Sequence, residues 1–195
     1  MKRITAILMG IGISLAFAGC TSQSLEGQQE QVNFFGMDTY MTITAYGEDA
    51  GEAVEEAQAR ILKLEKEWSV TDESSQIYQA NHSGESPVTL SDDTRDVVSF
   101  ALEMAEKTGG ALEPTIYPVL EAWGFTTDEN RIPAPDEIQT LLEHVGYEQV
   151  SLSGNELTLP EGVELDLGAV GKGYAGDAAA EVIKEQGVTS ALLDL

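Results

Sequence analysis

Hydrophobic and polar positions along the chain switch between a period near two and a period near 3.6, and that mixture predicts an α+β fold. Residues 34–46 (FFGMDTYMTITAY) are aromatic and β-branched, with Met41, Ile43 and Ala45 alternating against Thr42 and Thr44, which predicts a strand. After Gly47, the positions Val54, Ala57, Ile61, Leu64 and Trp68 recur at helical spacing, with Glu52, Glu55, Glu56, Lys63 and Lys66 among the solvated residues. Trp68 closes that face as a core residue. Ser91 is an N-cap followed by Asp92 and Asp93. The stripe Val97, Val98, Ala101, Leu102 and Ala105 follows, and Gly109-Gly110 stops the helix. A third helix starts at Pro135 with Asp136 and Glu137 near its positive end. It is expected to bury Ile138, Leu141, Leu142 and Val145 and to stop at Gly146.

Residues 149–159 read as a hairpin about Ser153-Gly154-Asn155, and residues 163–167 as a short strand. A glycine-rich turn over 168–173 is expected next, then a helix with Ala175, Ala178, Ala179, Val182 and Ile183 inward and Gly187 at its end. Ser190 to Leu195 form a strand with no turn after it, so an incomplete domain is expected.

The N-terminus follows a different logic. Lys2 and Arg3 precede an uncharged run over residues 4–19, about the length of a signal h-region and short of the roughly 20 residues a spanning helix needs. The run ends Phe17-Ala18-Gly19-Cys20, which resembles the lipobox of bacterial lipoproteins. Residues 1–19 are therefore expected to be an export signal, and Cys20, the chain's single cysteine, a lipidation site. Residues 20–32 are polar and aperiodic, as a tether between lipid and domain should be, leaving 33–195 as the folded part.

Composition narrows the chemistry. The 195 residues carry 34 acidic against 10 basic side chains, a formal charge of −24, with 42% apolar residues to build a core. Such a balance excludes a phosphate-neutralising stripe for nucleic acid and opposes docking on anionic lipid. One cysteine excludes an intrachain disulfide framework, and the two histidines, His82 and His144, are too far apart in sequence for a His-rich metal cluster.

Residues 165–177 (LDLGAVGKGYAGD) hold the strongest local signal for a ligand: strand, glycines, a lysine, then helix. Glycines let backbone approach a ligand, helix N-terminal amides attract an anion, and Lys172 adds a positive charge, so the segment suits a phosphate. A tight turn with no ligand would use the same glycines. Gly173 follows the lysine where a Walker A loop needs Ser or Thr. Residues 171–176 spell G-x-G-x-x-G, and Asp194 stands about 20 residues on, yet a dinucleotide fold normally opens with this unit. Residues 109–125 (GGALEPTIYPVLEAWGF) read as an irregular, proline-fixed segment whose aromatics suit a rigid wall for a planar ring or packing under a loop.

Four blocks in order resemble the ApbE-type FAD:protein FMN transferases. They are Met37-Asp38-Thr39; residues 69–81 (SVTDESSQIYQAN), similar to the family's S-x-x-x-x-x-S-x-I-x-x-x-N; Leu112-Glu113-Pro114-Thr115 through Trp123-Gly124-Phe125; and residues 165–175 (LDLGAVGKGYA). The resemblance covers about residues 33–195. It implies a T-fold-like arrangement of mixed sheets with flanking helices, lacking its C-terminal part.

It also implies an exported, lipid-anchored enzyme that binds FAD with Mg2+, transfers the FMN half to a threonine hydroxyl of a target protein, and releases AMP. Target proteins would be flavoproteins of membrane redox complexes. By position, Met37 lies against the flavin, and Thr71 stands where many members carry a tyrosine near the ring. Ala111, Leu112 and Glu113 line the FAD cleft, Glu113 replacing the more frequent aspartate. Asp166 and Lys172 contact FAD, and the Ala169 carbonyl is a magnesium ligand. The family's further glycine-rich stretch, its histidine and its metal-holding Asp and Thr are expected beyond Leu195, so no catalytic residue is assigned within the chain. An FAD pyrophosphatase and a non-catalytic, lipid-anchored flavin-binding protein are the alternatives.

Overall fold

The computed structural model describes residues 29–127 and 130–195. Its first element corrects the single N-terminal strand: β1 (Gln29–Gly36) and β2 (Thr39–Tyr46) are an antiparallel hairpin in unbroken register from Gln29↔Tyr46 to Gly36↔Thr39. The two-residue turn is Met37-Asp38, with φ of +49° and +57°. That turn type favours Asn-Gly and Asp-Gly, so Met-Asp carries no sequence signal for it. Residues 29–32, expected in the tether, belong to β1. Cys20 and residues 1–19 lie outside the described residues. Among the described residues, no helix is long and apolar enough to cross a membrane.

Helix α1 (Ala50–Trp68) buries the expected stripe Val54, Ala57, Ile61, Leu64 and Trp68, and Ala50 and Ala53 besides, on the hairpin face that presents Met41, Ile43 and Ala45. The final strand β6 (Ser190–Asp194) lies antiparallel along the other edge of β2, giving the order β1-β2-β6. The strand expected over 190–195 therefore stops one residue short of Leu195, which is partly buried against the core instead. Between α1 and this strand runs α6 (Gly168–Glu185), which buries Val170, Gly171, Ala175, Ala179 and Ile183 and packs on α1.

A second small sheet has the order β3-β5-β4, from β3 (Val88–Thr89), β5 (Glu156–Thr158) and β4 (Ser151–Ser153). The hairpin expected over 149–159 is β4-β5. Helix α2 (Gln76–Asn81) is capped by the Ser75 hydroxyl, which accepts from the Tyr78 amide. Helix α3 (Asp92–Thr108) is capped by Ser91 and ends at a left-handed Gly109.

Four local expectations are corrected. Residues 117–123 of the irregular segment form α4 (Tyr117–Trp123), with Pro118 in the first turn, where a missing amide proton costs nothing. Helix α5 (Pro135–Leu141) gives way to a 3-10 turn at Leu142–His144, and it buries none of its apolar residues. Its partner in the fold is α4 at the surface, so its apolar side is only half covered.

Residues 163–167 form no strand and join no ladder, apart from one parallel bridge between Glu164 and Ile116. A side chain takes the place of a neighbouring strand there. Asn81 Oδ1 accepts from the Leu165 amide at 2.8 Å, and Asn81 Nδ2 donates to the Leu165 carbonyl at 3.0 Å. The Asp166 amide donates to the Pro114 carbonyl at 2.8 Å. Finally, the glycine-rich residues 168–173 are the first turns of α6 itself. Of their three glycines, Gly168 serves a close approach: a Cβ there would fall 2.9 Å from Asp166 Oδ1.

Candidate functional site

A cleft of about 550 Å³ opens where four separated parts of the chain meet. The hairpin turn contributes Met37 and Asp38. The last turn of α1 and the loop after it contribute Glu65, Trp68, Ser69, Val70 and Thr71. The segment after α4 adds Phe125, Thr126 and Thr127, and the entry to α6 adds Asp166, Leu167, Gly168, Gly171 and Lys172. Met37, Thr71, Asp166 and Lys172, expected to act together, are thus on one cleft.

Each wall has a local cause. Trp68 is held by its indole Nε1, which donates to the buried Thr94 hydroxyl at 3.1 Å, and Tyr174 meets the ring edge-on at 5.4 Å. Gly171 lies against the ring; a Cβ there would make ordinary contact with Trp68 Cε3 at 3.7 Å. Ser69 folds the 69–72 loop by accepting from the Thr71 and Asp72 amides at 3.2 and 3.0 Å. Its hydroxyl also lies 3.2 Å from Thr71 Oγ1.

Phe125 is placed by a helix stop. Gly124 is left-handed, and the Phe125 amide donates back to the Leu120 carbonyl, which aims the ring outward so that it stays 71% exposed beside the cleft. Tyr117 Oη lies 3.2 Å from Thr126 Oγ1, and burial pushes the Tyr117 phenol up.

At the entry to α6, Asp166 Oδ1 accepts from the Gly168 amide at 2.9 Å. Burial pushes the Asp166 carboxyl up, and the Gly168 bond offsets this only in part. Lys172, half-buried one turn further on, makes no ion pair among the described residues. The cleft thus sets one lysine and the positive end of an 18-residue helix against the carboxylates Asp38, Glu65 and Asp166.

Ala111, Leu112 and Glu113 are not among the lining residues. Ala111 is exposed, and Leu112 packs partly on the core. Glu113 is a brace: Oε1 accepts from the Thr115 amide at 3.0 Å and hydroxyl at 2.6 Å, while Oε2 accepts from the Tyr147 amide at 3.1 Å. The Thr115 hydroxyl also accepts from the Gly146 amide at 2.7 Å. This brace carries Pro114, whose carbonyl holds Asp166, so Glu113 reaches the cleft only through backbone.

Ala169 is exposed in the first turn of α6 and outside the lining set. Among the described residues, no three His, Cys, Asp or Glu side chains gather as a cation site. One backbone carbonyl does not amount to a magnesium site. The catalytic residues expected beyond Leu195 fall outside the sequence. Leu195 itself is not a cleft residue: its side chain lies over α6, where a Cβ on Gly176 would come within 2.6 Å of Leu195 Cδ1.

Sequence reasoning passed over Glu65, Asp38 and the cleft-facing side of Trp68. The signal was present for Glu65, which stands three residues before Trp68 and therefore on the same side of α1.

The ApbE family profile matches residues 37–195, and the chain belongs to that family. The FAD:protein FMN transferase of Salmonella typhimurium is 28% identical over 190 residues, covering 91% of this chain and 52% of that protein. The protein of the same name from Vibrio cholerae is 27% identical over 199 residues, covering 96% and 58%. Among solved structures, the ApbE protein of Thermotoga maritima superposes with a TM-score of 0.81 at 27% identity, covering 85% of this chain and 57% of that one. The flavin transferase ApbE of Vibrio cholerae gives 0.78 at 24% identity, covering 86% and 57%, a likeness of fold. The chain spans about half the length of the curated relatives it matches.

Proposed function

We propose that this chain is the N-terminal part of an FAD:protein FMN transferase, exported and anchored through lipidated Cys20 on the extracytoplasmic face of a membrane. The reading rests on one observation above all: a single cleft unites Met37, Thr71, Asp166 and Lys172 from three of the four family blocks, at the positive end of a helix. Its substrate is FAD, and its acceptors are flavoproteins of membrane redox complexes carrying a reactive threonine. Magnesium is the expected cofactor, neutralising phosphate charge when bound. Ala169 would lend it a carbonyl, and the remaining oxygen donors would come from outside the described residues.

The chemistry is a displacement at phosphorus. The acceptor hydroxyl oxygen bonds to the FMN phosphorus and loses its proton, the P–O–P anhydride bond breaks, and AMP leaves with the bridging oxygen. Such a reaction calls for charge neutralisation and alignment more than for a covalent nucleophile. Lys172 and the first amides of α6 would face the diphosphate. Trp68, Met37, Thr71 and Phe125 would enclose the planar ring away from the lysine, and Asp166 would orient a polar group of FAD while capping Gly168. Incubating the intact protein with FAD, Mg2+ and a threonine-bearing acceptor peptide should yield flavin-labelled peptide and an equal amount of AMP. AMP with free FMN and no labelled peptide would mean a pyrophosphatase, and FAD retained with no AMP a binding protein.

A further inference from the structure

We propose that Glu65 is a positioning residue that fixes Met37 at the flavin end of the cleft, acting through the backbone of the 37–38 turn; the inference rests on the FAD reading above. The ladder of β1 and β2 closes at Gly36↔Thr39, so Met37 and Asp38 form the whole loop. Both lie in the left-handed region, at φ +49° and +57°, which is unfavourable for residues with side chains. In such a loop the first amide has no partner within the ladder. Here it donates to Glu65 Oε1 at 2.6 Å, 28 residues away on α1.

Nothing else claims that carboxylate: among the described residues Glu65 forms no ion pair, although Lys63 and Lys66 stand close in sequence. Glu65 also lines the cleft beside Trp68. A methionine side chain has three rotatable bonds and adapts freely, so it forms a defined wall only if its backbone is held. The α1 carboxylate supplies that hold, linking a turn of unfavourable conformation to the rigid helix that carries Trp68.

The position predicts a selective defect. In the intact protein, titrated with FAD, FMN and ADP by calorimetry, Glu65→Ala should weaken FAD and FMN binding on the order of tenfold, the scale of one lost charge-assisted hydrogen bond. ADP, held at the lysine end, should bind within about twofold of wild type on the same reasoning. Glu65→Gln keeps an acceptor oxygen and should bind FAD like wild type. Adding Asp38→Gly to Glu65→Ala should recover FAD affinity, because glycine takes a left-handed φ without strain. If Glu65→Ala does not fold, Glu65→Asp, shorter by one methylene, serves the same comparison.

FAD affinity unchanged in Glu65→Ala would overturn the proposal. So would an equal loss for ADP, which indicates a general loosening of the cleft, or a Gln variant as impaired as the Ala variant, which indicates that the charge acts on the ligand directly. A wild-type protein that binds ADP but not FAD or FMN would instead overturn the flavin reading.

Discussion

Replacing Asn81 by alanine removes two hydrogen bonds that stand where a neighbouring strand would stand for residues 163–167. The side chain satisfies both the amide and the carbonyl of Leu165, at 2.8 and 3.0 Å, across 84 positions of sequence. Leu165 is fully buried, so neither group finds water without the chain moving. Each orphaned group costs about 1 to 3 kcal/mol, and relaxation of the segment recovers part, leaving a combined loss of roughly 2 to 4 kcal/mol. For a domain of this size 1 kcal/mol shifts the midpoint by about 2 to 4 °C, so Tm should fall by roughly 5 to 15 °C. Calorimetry on Asn81→Ala and Asn81→Asp reads this directly. The aspartate keeps the acceptor for the Leu165 amide but sets a carboxylate oxygen against the Leu165 carbonyl, and should not rescue stability at neutral pH. A Tm within about 2 °C of wild type for Asn81→Ala would refute the reasoning, since it would mean the segment has other partners of equal worth.

Lys172→Ala should weaken FAD binding by roughly tenfold, the loss of one charge-assisted contact to phosphate, and unchanged affinity in a fluorescence titration would remove the α6 entry as the phosphate site. Gly171→Ala should hold or raise Tm, because its Cβ would make ordinary contact with Trp68 at 3.7 Å and alanine is the better helix former. Gly171→Leu should lower Tm and shift the Trp68 emission; a leucine variant as stable as wild type would show that the ring is not packed there. Asp166 tests the electrostatics. Its folded-state pKa is raised by burial, so the folded state holds the proton longer than the unfolded state. Its contribution is then most favourable below the ordinary aspartate range near 4 and is lost as pH rises through the raised value. Asp166→Asn keeps an acceptor for Gly168 and should flatten that fall, giving a higher Tm at pH 7; a lower Tm there would show that the charge is compensated.

The long helices were legible because their stripes are local: α1 carries its burial pattern, and α3 its burial pattern, Ser91 cap and Gly109 stop, within single segments. What escaped was decided by distant partners. Residues 163–167 have the composition of a strand, but their backbone is satisfied by Asn81 and Pro114, whose positions no window of sequence contains. Glycines at 168, 171 and 173 read as a turn because spacing cannot distinguish a need for positive φ from glycines carried inside a helix; of the three, only Gly168 would crowd a neighbour with a Cβ, at 2.9 Å from Asp166 Oδ1. At the site, Met37, Thr71, Asp166 and Lys172 followed from the family resemblance and share the cleft. Residues 111–113 followed from it too, yet Glu113 spends both oxygens on Thr115 and Tyr147. A carboxylate in a loop looks the same in sequence whether it faces a ligand or its own backbone.

The order β1-β2-β6 also sets a timetable for folding. Thr44 pairs with Gln31 on one side and with Leu192 on the other, so one partner precedes it closely and the other follows far downstream. During synthesis from the N-terminus the first hairpin can close at once, while the far edge of β2 waits for nearly all of these 195 residues to emerge. Throughout that interval the central strand is an open template for any other extended chain, so nascent-chain aggregation should be most acute before residues 190–194 arrive.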